Sequence, residues 1–249
     1  MRRWIGLAVV ATLAFASTSG ARIAAEPPTL ADACGSTAGL EAQTAWLTTS
    51  DGVRLYTAEA GTGSTAIVLS HQGRSDLCDT IPYATTLVAA GFRVFAFDFR
   101  GWGRSQSPSR HSLALGNDLA AMVERTRAKG AERVFLIGAS MGGAAIVQNT
   151  SNLRVDGRIS LSGTRLWNGY GINHPDRLRR IRAPFLYIGA RDDWRAPLKE
   201  VRSILRRIGS HDKRAALYPG SDHGWALVDV GRLAASRRAL ILNWLRRRS

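Results

Sequence analysis

The chain is 249 residues long, 45% hydrophobic, and carries a formal net charge of +15. That length suits one α/β domain whose core is large enough to fold without a metal or a dense disulfide framework. Lys129, Lys199 and Lys213 are the only lysines, so the positive charge is nearly all arginine, spread along the chain. Without clustered aromatics, that spread argues against a nucleic-acid binder and for a solvated basic surface, with weak contact to an anionic envelope surface as the functional alternative.

Residues 1–25 read separately from the rest. Arg2 and Arg3 precede an apolar run from Ile5 to Ala16, broken by Gly6 and Thr12, and Ser19 and Ala21 fit the −3 and −1 positions of a cleavage site. This is the pattern of a secretory signal peptide; the run is shorter than the roughly 20 residues that span a bilayer, and an uncleaved anchor is the alternative. Residues 26–249 are then expected to form one domain of a secreted, periplasmic or cell-envelope protein. In such a compartment Cys34 and Cys78 are expected to form one disulfide, with two free thiols as the alternative.

Residues 26–44, rich in Pro, Gly, Ala and Thr, read as an extended lead-in. Short strands are predicted at Ala45–Thr48 and Val53–Ala58 around an Asp51-Gly52 turn. Apolar runs then alternate with helical patterns. A strand at Ala66–Ser70 precedes a helix at Thr80–Ala90, and a strand at Arg93–Phe97 precedes a helix at Ser112–Lys129. The strand Val134–Gly138 leads into a helix over Ser140–Thr150, and strands follow at Arg158–Ser162 and Phe185–Gly189. Leu198, Val201, Leu205 and Ile208 share a helical face; Ala215–Tyr218 is the last strand; Leu233, Leu240, Ile241, Trp244 and Leu245 stripe a C-terminal helix. Strands apolar throughout and alternating with helices imply the α/β class, a mostly parallel doubly wound sheet covered on both faces. Chemistry in such a sheet belongs at the carboxyl ends of the strands.

Gly138-Ala139-Ser140-Met141-Gly142 stands at such an end, between a predicted strand and a predicted helix. A G-x-S-x-G there makes a sharp turn that lifts a serine hydroxyl clear of the sheet, at a helix N-terminus that favours developing negative charge. Serine needs a base to act as a nucleophile. Of the histidines after Ser140, His211 precedes the last strand and His174 lies in a connecting segment, whereas His223 follows that strand at its carboxyl end. The acid that orients the imidazole is expected after the Phe185–Gly189 strand, where Asp192 and Asp193 are adjacent; Asp192 is preferred, and turn or helix capping is the competing role for the pair.

Asp98-Phe99-Arg100-Gly101-Trp102-Gly103-Arg104-Ser105, Gly189-Ala190-Arg191-Asp192 and Gly220-Ser221-Asp222-His223-Gly224 join the serine motif in a fixed order. Over about residues 50–249 the chain resembles the α/β-hydrolase superfamily of esterases, lipases and related acyl hydrolases. The resemblance implies that the Asp98–Ser105 segment is a structural turn after the fourth strand. It also supports Asp192 through the G-x-x-D pattern. His71-Gln72-Gly73 stands where that family usually has His-Gly, so His71 matches a structural histidine while Gln72 replaces the glycine. The oxyanion donors by position are the amide of Met141 and that of Gln72 or Gly73. Only some twenty residues separate Ser162 from Phe185, which resembles compact, uncapped members of the dienelactone-hydrolase or esterase type. The serine nucleophile argues against the cysteine-dependent dienelactone hydrolases. An open site of that kind would be lined by Trp167, Tyr170 and Trp194, whose alternative role is surface packing.

The expected function is that of a secreted serine hydrolase cleaving a small-molecule ester or acyl substrate through Ser140, His223 and Asp192. No metal or cofactor is implied. An exported serine peptidase or aminopeptidase on the same residues, or a non-catalytic binding member of the fold, are the alternatives.

Overall fold

The computed structural model describes residues 26–35, 37, 39–108, 114–164 and 175–249. The expected signal segment, Trp167 and Tyr170 lie outside the described residues. Eight strands run in chain order as β1 Gln43–Thr48, β2 Arg54–Ala60, β3 Thr65–Ser70, β4 Arg93–Phe97, β5 Arg133–Ala139, β6 Gly157–Leu161, β7 Phe185–Ala190 and β8 Lys213–Tyr218. They form one sheet in the order β1-β2-β4-β3-β5-β6-β7-β8. Pairing is antiparallel for β1 with β2 and for β2 with β4, and parallel from β4 to β8.

The parallel strands read as unbroken apolar runs because both faces are covered. Ile67, Leu69, Phe135, Ile137, Ile159, Leu161, Leu186 and Ile188 point to one face, where they pack with residues of α2 (Ile81–Ala89), α6 (Ala226–Asp229) and α7 (Ala234–Arg246). The alternate residues Ala66, Val68, Val134 and Leu136 point to the other, against α3 (Leu115–Ala128) and α4 (Met141–Asn149). Phe185 and Tyr187 continue that second face beneath α5 (Leu198–Arg207) and the 3₁₀ turn Pro175–Arg180. The period-2 alternation thus divides each strand between two cores.

The lead-in differs from its expectation. Within residues 26–44, α1 (Leu30–Cys34) forms a short helix instead of extended chain. Thr29 and Asp32 build a reciprocal capping box at its start, the S/T-x-x-E/Q arrangement with Asp in the acidic role. Its last residue is tied to the fold by the Cys34–Cys78 disulfide, with Cα atoms 5.4 Å apart. Tyr56 also reaches this segment, its hydroxyl donating to the Pro28 carbonyl at 2.9 Å. The Asp51-Gly52 turn joins β1 and β2 as predicted, with the Gly52 amide donating to the Thr49 carbonyl at 2.9 Å. Among the described residues there is no large cap domain and no helix long and apolar enough to cross a membrane.

Candidate active site

The end of β5 turns abruptly into α4. Ser140 occupies that turn at φ 47°, ψ −108°, a conformation that L-residues rarely adopt. Its amide donates to the Leu161 carbonyl of β6 at 2.8 Å, and the Gly142 amide donates to the His71 carbonyl at 3.2 Å. Gly142 lies so close to the β3 end that a Cβ there would overlap the Ser70 and His71 carbonyls. The helix therefore starts hard against the sheet, and the serine hydroxyl stands at the carboxyl end of β5. The Met141 amide, in the first turn of α4, has no intrahelical acceptor and no other partner among the described residues.

Two further loops meet at this point. His223 follows β8, and its Nε2 lies 2.8 Å from Ser140 Oγ. Its Nδ1 lies 2.7 Å from Asp193 Oδ2. The sequence preference for Asp192 is corrected here, because Asp193 is the carboxylate against the imidazole. The reason is in the sheet. After Ala190 the ladder ends in a turn, and two successive amides face the end of β8, that of Arg191 donating to Tyr218 O (2.8 Å) and that of Asp192 to Gly220 O (3.0 Å), where amides within a strand would alternate sides. This turn breaks the alternation of the strand, so Asp192 is exposed and Asp193 turns inward, 2% exposed. Asp193 also performs the turn-capping role, its Oδ1 accepting from the Arg195 amide at 3.0 Å.

Burial pushes the Asp193 carboxyl upward, but the hydrogen bond and charge of His223, the adjacent Ser162 hydroxyl and the Arg195 amide outweigh it, leaving its pKa lowered. A carboxylate held ionised beside an imidazole is the arrangement that fixes the ring's tautomer. Ser162, just after β6, carries no sequence signal that would single it out. It takes a left-handed φ of 52° and has a buried hydroxyl without a well-aligned hydrogen-bond acceptor.

The loop after β3 is fastened by His71. The Phe99 amide donates to its Nε2 at 3.0 Å, so the proton lies on Nδ1, which donates to the Gln72 carbonyl at 2.7 Å. Burial drives the His71 pKa down to about 4, so the ring is neutral. The Gln72 side chain spans toward the histidine loop, its Oε1 accepting from the Trp225 amide and its Nε2 donating to Asp79, each at 3.4 Å. Gly224 makes room for it: φ is +61°, and a Cβ there would overlap Gln72 Oε1. The residue that departs from the family pattern thus fills the gap between two site loops.

The Asp98–Ser105 segment is a structural turn after β4. Asp98 Oδ1 accepts from the Leu77 amide (2.7 Å) and Oδ2 from the Arg104 amide (2.8 Å); burial raises its pKa to about 6 against these bonds. Arg100 is buried between Asp118 (2.8 Å) and Asp51 (2.7 Å). A second unforeseen residue is Arg237 of α7, fully buried, which donates to Asp222 Oδ2 at 2.6 Å and lies 4.9 Å from the Tyr218 ring centre. It anchors the loop that carries His223. A helical arginine among many gives no signal of such a role.

Of the aromatic residues expected at the site, Trp194 is described; it is 74% exposed, next to Asp193, with the Arg195 guanidinium 4.4 Å over its ring. Among the described residues no group of three His, Cys, Asp or Glu side chains is placed to hold a metal.

The architecture has many counterparts. The Pyrococcus furiosus esterase Pf2001 superposes with a TM-score of 0.72 at 17% identity, covering 90% of this chain and 97% of that one. The chain has the α/β-hydrolase fold. A predicted CIB-like hydrolase from Thermoplasma acidophilum matches at TM-score 0.64 and 24% identity, over 84% of this chain and all of that one. The monoacylglycerol lipase of Paleococcus ferrophilus matches at 0.67 and 19%, over 78% of this chain and 99% of that one. In sequence, residues 63–168 of this chain match the family described as serine aminopeptidase, S33. The Escherichia coli K12 protein YfhR, described as uncharacterized, is 31% identical over 115 residues, which is 43% of this chain and 40% of the relative. The chain thus spans about two fifths of the length of that curated relative.

Proposed function

We propose that this α/β-hydrolase is an exported serine hydrolase that cleaves ester-type bonds of small molecules through an acyl-enzyme. The observation that carries the reading is the unbroken relay from Ser140 Oγ to His223 Nε2 (2.8 Å) and from His223 Nδ1 to Asp193 Oδ2 (2.7 Å). His223 takes the hydroxyl proton as Ser140 attacks the carbonyl carbon, and then returns it to the leaving alcohol. Water, deprotonated by the same imidazole, hydrolyses the acyl-serine. Asp193 holds the proton on Nδ1 and stabilises the imidazolium. The Met141 amide supplies one oxyanion donor and Gln72 or Gly73 the other. Trp194, with Trp167 and Tyr170, is assigned a substrate-binding role.

Esterase and lipase structures share this fold, which favours ester over amide substrates. The serine aminopeptidase family match over residues 63–168 favours peptide amides as the second reading. Residues 26–249 constitute the mature domain, and the N-terminal signal pattern with the Cys34–Cys78 bridge supports an extracytoplasmic location. Labelling with a fluorophosphonate tests the nucleophile: the chain should label, and Ser140→Ala should neither label nor turn over a p-nitrophenyl ester while melting normally. Labelling that persists in Ser140→Ala would refute it. An amino-acid p-nitroanilide assayed beside the ester separates the two substrate readings.

A further inference from the structure

The arginines are not used uniformly. Arg93, Arg100, Arg127, Arg133, Arg237 and Arg248 form ion pairs. One region is different. The 3₁₀ turn Pro175–Arg180 and the residues after it expose Arg177, Arg179, Arg180 and Arg182. The last turn of α5 adds exposed Arg206 beside Arg207, and the first two residues of β8 add exposed Lys213 and Arg214.

These elements are in contact. Leu178 and Ile181 share an apolar cluster with Val201, Ile204 and Ile208. Arg182 donates to the Gly209 carbonyl (3.1 Å) and Lys213 to the Ile208 carbonyl (2.6 Å), which brings these two cations to one turn. None of them forms an ion pair among the described residues. Of the acids at this end, Asp176 lies within the same 3₁₀ turn, and Asp212 is taken by Arg248 at 2.5 Å. Like charges gathered at one end of the molecule make a positive field that attracts an anionic surface.

The patch has a definite place in the fold. It lies at the amino ends of β7 and β8, whereas Asp193 and His223 follow their carboxyl ends. With strands rising roughly 3.3 Å per residue, the six-residue β7 puts about 20 Å between the patch and the Ser140 end of the sheet. No large hydrophobic side chain is exposed in the patch; among the described residues Trp194 and Val230 are the exposed ones.

We propose that this end of the molecule adsorbs to a bilayer bearing anionic phospholipid headgroups, holding the Ser140 site toward the water. Guanidinium forks match phosphate geometry, and contact is by charge without insertion. A bilayer is favoured over nucleic acid because the patch carries no Phe, Tyr or Trp side chain for base stacking, and the disulfide belongs to an oxidising compartment. The orientation rests on the Ser140 reading; the adsorption does not. Its consequence is that substrate arrives from solution, not from the lipid phase.

Co-sedimentation with vesicles of equal parts phosphatidylcholine and phosphatidylglycerol tests this. The chain should bind at low ionic strength and release in 1 M salt, where the screening length is about 3 Å. Replacing Arg179, Arg180, Arg206 and Arg207 with Gln should lower the partition coefficient at least about a hundredfold, at roughly fivefold per arginine. Turnover of a water-soluble ester should stay unchanged in that variant, and in the wild type whether vesicle-bound or free. Lys213→Gln with Arg214→Gln gives a second variant with a smaller loss, should the first fail to fold. Absence of wild-type binding, variants binding as well as wild type, or retention on duplex DNA but not on vesicles would each overturn the proposal. Turnover failing in wild type while vesicle binding holds would instead count against the Ser140 reading.

Discussion

The assignment of Asp193 over its neighbour is open to a sharp test. In Asp193→Asn the shape is kept and one oxygen becomes an amide nitrogen. Asp193 now serves two donors, the Arg195 amide on Oδ1 (3.0 Å) and His223 Nδ1 on Oδ2 (2.7 Å). The asparagine has one oxygen and must choose. The Arg195 amide can only donate, so the oxygen stays with it and the NH₂ group faces Nδ1. The imidazole must then accept at Nδ1 and carry its proton on Nε2, toward Ser140 Oγ, where it cannot act as a base. Loss of the correct tautomer in this way costs about 10⁴ in kcat in serine proteases, or roughly 5 kcal/mol of barrier. Asp192→Asn alters an exposed side chain, and its backbone bond to Gly220 O is retained. The expected result is a loss of kcat on a p-nitrophenyl ester of about three to four decades for Asp193→Asn and of less than about twofold for Asp192→Asn. KM should be nearly unchanged in both, with melting temperatures measured alongside. Equal losses in the two variants, or an active Asp193→Asn, would refute the assignment.

Two other expectations concern stability. Unfolded, His71 takes up a proton near pH 6.5, whereas in the fold burial holds its pKa at about 4. The unfolded chain therefore binds more protons between pH 6.5 and 4, and stability is lost as acid is added through that window, by up to about 3 kcal/mol. Denaturant titrations across that range should show a shallower slope in His71→Asn than in wild type; identical slopes would exclude His71 as the source. The Cys34–Cys78 bridge closes a loop of 44 residues, worth about 4 kcal/mol in the chain-entropy treatment. Reduction, or the paired Cys→Ala variant, should lower the melting temperature by roughly 8 °C. A shift below about 2 °C would show that the N-terminal segment docks independently of the bridge.

Much of this protein was legible in its sequence because the signals are local. Runs such as Ala66–Ser70 and Val134–Gly138 are apolar on both faces, so they can only be interior strands of a covered parallel sheet. The Gly138–Gly142 motif names its own turn, since the backbone at Ser140 needs small neighbours to pass so close to the β3 end. Chain order together with the carboxyl-end rule singled out His223 from the other histidines. The helix at Leu30–Cys34 was missed because its stability comes from a four-residue capping box and a long-range disulfide, not from periodicity.

What the sequence could not decide is what depends on the last hydrogen bond of a strand. Asp192 and Asp193 are chemically identical neighbours. Only the pairing of the chain beyond β7 with that beyond β8 determines which side chain turns inward. The role of Gln72 is set in the same way by a loop some 150 residues away, and the unpaired arginines become a patch only when α5 and β8 bring them to one end of the molecule. Strand and helix identity follows from each residue's immediate neighbours. The partners of a polar side chain follow from which chain ends the sheet brings side by side, and that is a property of the tertiary structure alone.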